Sequence, residues 1–288
     1  MKTPQLAKHY PFAIGIPAVI WQVVFFYLPL ALLVAGSFLI WTEEGGFAGF
    51  SLEKFTFFFR PPYFTVIGAS LLLALSTSIL CFLIAYPIAY YMAFRGKKWK
   101  NLLLFLLIVP FWTNFLLHVY AWFYVLEREG ILNTLLRALS ITHEPIAFLN
   151  STFAIMIMMI YYYLPFMLLP IYASLERFDS KLLEASYDLG ASWRQTLCKI
   201  TLPLCSRAIK TGFFLVFIPS FGEFAIPELM GGDRVMFIGN VVSQFILGDE
   251  TGSLGASFTV LSCIVLVISA LVLYQLLSWF LKPRATTW

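Results

Sequence analysis

The sequence predicts an all-α membrane protein with six transmembrane helices, and three observations carry that prediction. Of the 288 residues, 60% are hydrophobic, 18% aromatic and only 12% charged, far too little polar surface for a soluble domain of this size. Apolar runs long enough to cross hydrocarbon, which takes about 20 residues as helix, recur at 14–41, 64–94, 102–126, 146–175, 209–230 and 257–281. Stretches such as NLLLFLLIVPFW and SCIVLVISALVLYQLLSWFL are continuously apolar, whereas a barrel would alternate apolar and polar residues over segments of about ten. Residues 1–288 are therefore expected to form a single transmembrane domain.

The spans differ in what surrounds them. The first is too long for a signal-peptide core and is followed by no small-residue cleavage pattern, so it is expected to stay in the mature chain. RGKKWK, residues 95–100 after the second span, reads as a topology anchor rather than a nucleic-acid patch. In the third, Pro110 precedes Asn114 and His118, four apart on one helix face; this is an interhelical bonding pattern with too few ligands for a metal. The fourth carries Tyr161–Tyr163, and the fifth carries Glu223 among Pro219, Gly222 and Pro227. Cys81, Cys198, Cys205 and Cys263 match no disulfide framework and no zinc spacing.

Orientation follows from Lys and Arg, because basic segments resist translocation. The N-terminus, the 95–100 loop, the 176–210 segment and the C-terminal tail together hold 14 of the 19 basic residues, namely Lys2, Lys8, Arg95, Lys97, Lys98, Lys100, Arg177, Lys181, Arg194, Lys199, Arg207, Lys210, Lys282 and Arg284. Both termini are then expected in the cytoplasm. The remainder has five basic residues against eleven acidic ones. That excess fits a cationic ligand, or simply reflects the removal of Lys and Arg from outer loops.

Between the fourth and fifth spans lies a charged stretch, KLLEASYDLGASWRQTLCKITLP (181–203). Leu182, Ala185, Ser186 and Leu189 recur on one helical face, with Lys181, Glu184 and Asp188 displayed elsewhere. Asp179 or Ser180 can cap the start. Gly190 stands where a left-handed residue ends a helix at low steric cost. Ser192 and Gln195 form a capping-box signature for a second helix, whose apolar stripe is Trp193, Leu197, Ile200 and Leu204, with Pro203 marking a kink or stop. Such a helix could rest in the lipid interface. The cluster Glu176, Asp179, Glu184 and Asp188 matches an anionic bilayer poorly, so a protein partner explains it better.

Glu184, Ala185 and Gly190, followed by Ile200, Leu202 and Pro203, resemble the EAA loop of permease subunits of ATP-binding cassette importers, whose pattern is E-A-A, three residues, G, nine residues, I-x-L-P. Ser186 replaces the second alanine. LLLFLLIVPFWTNFLLHVYAW (102–122), YYYLPFMLLPIYASLERFDSKLLEASYDLGAS (161–192) and VFIPSFGEFAIPELMGG (216–232) resemble the permeases of spermidine and putrescine importers. The resemblance implies that the loop, residues 176–208, docks its first helix on a cytoplasmic ATPase through Glu184, Ala185, Ser186, Asp188 and Gly190, with Glu184 making a polar contact and Gly190 the turn. It also implies an ATPase dimer, a second permease like or unlike this one, a periplasmic solute-binding protein and a polyamine substrate, in the inner membrane. No G-x-x-x-x-G-K-[ST] phosphate loop occurs in the sequence, so ATP and Mg belong to the ATPase and this chain is expected to hold no cofactor.

Within the membrane, a charge at mid-span costs roughly 2.5 to 3.5 kcal/mol. Glu223 therefore either faces the translocation path or makes an interhelical hydrogen bond; Glu228, Asp233 and Arg234 read as outer loop charges. Trp112, Tyr120, Trp122 and Tyr161–Tyr163 either attract a passing amine or belt the membrane interface, with Trp112 and Tyr161 the better path candidates. No Ser/His/Asp set or paired carboxylates stand at suitable depth, so no enzyme chemistry is expected. An importer of another solute is the nearest rival. An ion-gradient transporter should show internal repeats and more intramembrane ionisable groups, and neither is visible.

Overall fold

The computed structural model describes residues 10–41, 47–96, 98–232, 235–247 and 252–282. Lys2, Lys8, Lys97, Asp233, Arg234 and Arg284 lie outside the described residues. In chain order, α1 (Tyr10–Gln22) runs through a π turn (Val23–Tyr27) into α2 (Leu28–Phe38). An antiparallel ribbon of β1 (Leu39–Trp41) and β2 (Phe47–Phe50) follows, pairing Leu39 with Phe50 and Ile40 with Gly49. Next come α3 (Glu53–Phe57), the long α4 (Pro61–Phe94), α5 (Lys100–Ile108) with a 3-10 turn (Val109–Trp112), α6 (Phe115–Leu126), α7 (Ile131–Ala138) and α8 (Thr152–Glu176). The charged stretch forms α9 (Lys181–Asp188), α10 (Trp193–Thr196), a π turn (Leu197–Thr201) and α11 (Leu202–Leu204). The chain closes with α12 (Ser206–Phe221), α13 (Ala225–Gly231), α14 (Ile238–Leu247) and α15 (Gly252–Phe280).

Among the described residues four continuous helices are long and apolar enough to cross a membrane: Gly15–Phe38, Pro61–Phe94, Thr152–Glu176 and Ser253–Phe280. The number rises to six if each of two bent pairs makes one crossing. Lys100–Trp112 meets Phe115–Ala138 at 104°, and Trp193–Leu204 meets Ser206–Phe221 at 70°. The unbroken helices expected at 102–126 and 209–230 are corrected, the first by its 104° bend and the second by a break at 222–224 rather than by the 70° bend before Ser206. In the first, Pro110 sits in the 3-10 turn, Thr113 turns extended, and Asn114 starts a new helix by accepting the Leu116 N–H at 2.8 Å. In the second, α12 ends at Phe221 and α13 begins at Ala225. The fourth span starts at 152 rather than 146, because Asn150 takes a positive φ of 53° and Ser151 caps α8 through the Ala154 N–H.

The chain divides into two compact units. One comprises Met1–Pro61 with Val242–Cys263, the other Pro62–Val241 with Ile264–Trp288. In the first, Phe58 is buried against Phe245 and Phe258, with ring centroids 5.8 and 4.8 Å away. Ser257 Oγ donates to the Ser37 carbonyl at 3.0 Å. Lys54 Nζ reaches the Leu39 carbonyl at 2.7 Å, and burial lowers its pKa from the ordinary lysine value.

The second unit is organised by α8. Met158, Met159, Met167, Leu168 and Ile171 are fully buried on it, and Val216 of α12 joins the same core. Between membrane helices, where lipid is as apolar as leucine, close approach and dispersion replace the usual hydrophobic drive. Gly212 supplies that approach, since a Cβ there would stand 2.8 Å from Met167 Sδ and 3.2 Å from the Met167 carbonyl. α15 leaves Ile264, Val267, Ile268 and Leu271 exposed, an apolar surface suited to lipid or to another membrane helix.

Candidate functional site

α9 to α11 form a lever whose shape is set largely by local hydrogen bonds. Of the two expected caps, Asp179 is used, its Oδ1 accepting the Lys181 N–H at 3.0 Å. α9 ends as a Schellman turn: Gly190 has φ +79°, its N–H donates to the Tyr187 carbonyl at 2.8 Å, and Ala191 N–H donates to the Ser186 carbonyl at 3.0 Å. The capping box is reciprocal, with Ser192 N–H donating to Gln195 Oε1 at 2.8 Å and Gln195 N–H donating to Ser192 Oγ at 3.4 Å.

The faces differ from those expected. Leu183 and Ser186 point inward, while Leu182, Ala185 and Leu189 face outward beside Glu184 and Asp188, with Leu189 89% exposed. The inward contact is polar: Ser186 Oγ lies 3.0 Å from Thr196 Oγ1, and Thr201 Oγ1 donates to the Thr196 carbonyl at 3.3 Å. Past α10, Thr196, Thr201 and Cys205 are buried, whereas Trp193 and Leu204 are exposed. The π turn at Leu197–Thr201 sets the second face, because its extra residue aligns Thr196, Thr201 and Cys205, which a regular helical stripe would not.

The lever is tied to the bundle at its base. Phe178 meets Phe94 edge-on at 6.0 Å, Tyr187 interacts with the Tyr90 hydroxyl, and Lys100 pairs with Glu176. These contacts set the 95–100 and 176–208 segments at one end of α8. The outward surface of α9 is an apolar strip with two carboxylates along one border.

Glu223 lies in the break between α12 and α13 and is half-buried. Its Oε1 accepts the N–H groups of Ala225 and Ile226 at 3.0 and 3.4 Å, and its Oε2 accepts the Tyr163 hydroxyl at 2.7 Å. The carboxylate is thus held by backbone donors and by α8. Gly239 at the start of α14 presses on the same break: a Cβ there would be 2.7 Å from the Gly222 carbonyl and 2.8 Å from that of Glu223. Glu228 accepts from the Asn240 amide, whose Oδ1 accepts the Phe237 N–H at 3.3 Å.

Tyr161 lies elsewhere on α8. It meets His118 and Trp122 edge-on, each at 5.6 Å, and lines a groove of about 170 Å³ with Leu106, Pro110, Phe111, Thr113 and His118. His118 Nε2 lies 2.5 Å from Thr113 Oγ1, so the histidine bonds within its own bent segment rather than to another helix, as was expected. Trp112 is 79% exposed and does not line this groove. Of the three path candidates, Tyr161 lines this groove and Glu223 and Trp112 do not.

Residues 85–286 match the family described as binding-protein-dependent transport system inner membrane component. The chain belongs to this family of importer permeases. It is 38% identical to the spermidine/putrescine transport system permease protein PotB of Escherichia coli over 257 residues, 88% of this chain and 93% of that protein. PotB of Haemophilus influenzae is 37% identical over 258 residues, covering 88% and 90%. Among solved structures, a bacterial ABC transporter involved in the import of the acidic polysaccharide alginate superposes with a TM-score of 0.76 at 15% identity, covering 96% of each chain. That likeness is one of fold. As an inner membrane permease the chain moves solute rather than transforming it, which agrees with the expectation from its sequence.

Three residues of consequence escaped sequence reasoning as individuals. Tyr163 was visible only within an aromatic cluster, Thr196 carried no signal, and Gly239 lay in a stretch without a motif. Their partners are distant or non-periodic: Tyr163 and Glu223 are 60 positions apart.

Proposed function

We propose that this permease imports polyamines, spermidine or putrescine, across the inner membrane by alternating access, driven by a separate ATPase. The observation that carries the reading is the outward strip of α9, Leu182, Ala185 and Leu189 with Glu184 and Asp188 along one border, on a lever whose Gly190 turn and Ser192 capping box hold it stiff. A stiff lever transmits force only to or from something that moves. The polyamine cargo is supported by the relatives aligned along 88% of the chain.

In this reading residues 1–288 are one permease domain with six crossings, the third made by α5 with α6 and the fifth by α12 with α13, and with both termini in the cytoplasm. The 95–100 and 176–208 segments are cytoplasmic, as their basic residues favour. Glu184, Ala185, Ser186, Asp188 and Gly190 are the coupling set: four shape or line the docked face, and Ser186 braces it from behind. Two ATPase subunits, holding ATP and Mg, close on this lever and its counterpart in a second permease, and a periplasmic solute-binding protein delivers cargo on the opposite side. A structural neighbour was solved in complex with an alginate pentasaccharide-bound periplasmic protein, which supports that last assignment.

For the path, Glu223 is the leading residue. A polyamine ammonium can compete with the Tyr163 hydroxyl for Oε2 while Oε1 stays on the backbone. Tyr161 and Trp112 offer ring faces to a passing amine. The test is ATPase stimulation of the reconstituted complex by spermidine, putrescine, a sugar and an anion, presented with the solute-binding protein. Polyamine-selective stimulation is expected. Stimulation by the sugar or the anion alone would leave the importer and remove the cargo.

A further inference from the structure

The transport reading leaves α7 without a role. It follows α6 after a tight turn in which Gly130 N–H donates to the Glu127 carbonyl at 2.9 Å, and it lies at the end of α8 opposite α9. A helix of eight residues is marginal by itself. This one is clamped: Asn133 is fully buried, its amide donates to the Glu127 and Ile146 carbonyls at 3.2 and 2.9 Å, and its Oδ1 accepts the Ile146 N–H at 2.9 Å. Its surface is consequently fixed.

At 3.6 residues per turn, Ile131, Leu132, Leu135, Leu136 and Leu139 share one half of the helix surface, and Thr134 and Arg137 lie on the other. Leu132 packs on the core, but Ile131, Leu135 and Leu139 are exposed by 48%, 54% and 68%. Exposed Ile141 and Ile146 extend the apolar surface, while Arg137 pairs with Glu129 at 3.0 Å on the polar side.

We infer that α7 is an interfacial helix that inserts Ile131, Leu135 and Leu139 into the bilayer leaflet remote from α9. The occupant of the apolar strip is lipid, because α6, which α7 follows after the turn at 127–130, already exposes Leu116, Leu117, Tyr120 and Tyr124 on a segment apolar enough to cross a membrane. α6 leaves its apolar segment beside exposed Tyr120 and Tyr124, the residue type that marks headgroup level, and α8, a full crossing, begins soon after. An amphipathic helix in this position buries its apolar face about 5–10 Å into the headgroup and acyl boundary. Arg128 at the α6–α7 turn adds a cation suited to anionic headgroups.

The test uses the full chain, with exposed Cys198 and Cys263 replaced by serine, in vesicles of phosphatidylethanolamine and phosphatidylglycerol. An environment-sensitive fluorophore is placed on Leu135→Cys, on Ile131→Cys as a second reporter, and on Arg137→Cys as the aqueous control. A lipid bearing a nitroxide high on its acyl chain should quench the first two several-fold more than the control, and aqueous iodide should do the reverse. Equal iodide quenching at all three sites would overturn the inference. So would shielding of Leu135 that arises only when solute-binding protein is added, which would make the strip a protein contact.

Discussion

The lever at 181–204 and the break at 222–224 both interrupt apolar sequence, yet they are held in opposite ways. Nearly every bond shaping the lever joins residues within ten positions of one another, from the Asp179 cap to the Ser186–Thr196 contact. The break is held by Tyr163, sixty positions away on α8, and by Gly239 of α14. The difference teaches that the lever is a local module that can be damaged without unfolding the bundle. The break is a tertiary joint whose damage spreads.

The largest local effect is expected from Gly190→Pro. Proline cannot adopt φ +79° and removes the N–H bonded to Tyr187, a cost of about 3 kcal/mol or more confined to the lever. Uptake and ATPase co-purification should collapse while the melting temperature of the permease hardly moves; a large fall in melting temperature would erase the contrast. Gly239→Val is the reciprocal test. Its side chain meets the Gly222 and Glu223 carbonyls, and overpacking of about 1–3 kcal/mol should lower the melting temperature and the monodisperse yield.

Glu223→Gln sharpens the comparison by keeping an acceptor for Ala225 and Ile226 while removing the charge and putting an amide donor where the Tyr163 hydroxyl found its acceptor. Polyamine uptake should fall several-fold with ATPase assembly intact; normal uptake by a well-expressed variant would assign Glu223 to the joint alone. Ser186→Ala restores the usual alanine but deletes the contact to buried Thr196, costing about 1 kcal/mol. Weaker coupling of ATP hydrolysis to uptake is expected, with little change in ATPase binding. Glu176→Gln should have the smallest effect, because its partner Lys100 is surface-exposed and such pairs contribute little; any loss should vanish at high salt.

The lever was legible because caps and left-handed turns are read from neighbouring residues. Asp179, Gly190, Ser192 and Gln195 each have the chemistry that their position requires, and all four act as that chemistry predicts. Its faces were less legible: a regular stripe through Trp193 and Leu204 assumes regular helix, and the π turn at Leu197–Thr201 breaks that assumption. For the spans, apolar length located the four continuous helices, but it did not tell them from the stretches that turn out broken. Pro110 precedes Asn114 and His118 in the sequence, yet whether a proline kinks or stops a membrane helix depends on what re-satisfies the freed backbone groups.

By itself the sequence determined the membrane setting, the positions of the apolar segments, the basic asymmetry and the lever's turn, because hydropathy, charge and capping act over a few residues at a time. Only the tertiary structure decided that Glu223 is bonded to Tyr163, that Ser186 faces Thr196, and that Tyr161 lines a groove with His118. Those outcomes depend on which helices come within hydrogen-bonding distance. That is a property of the packed bundle around α8, to which no single segment holds the information.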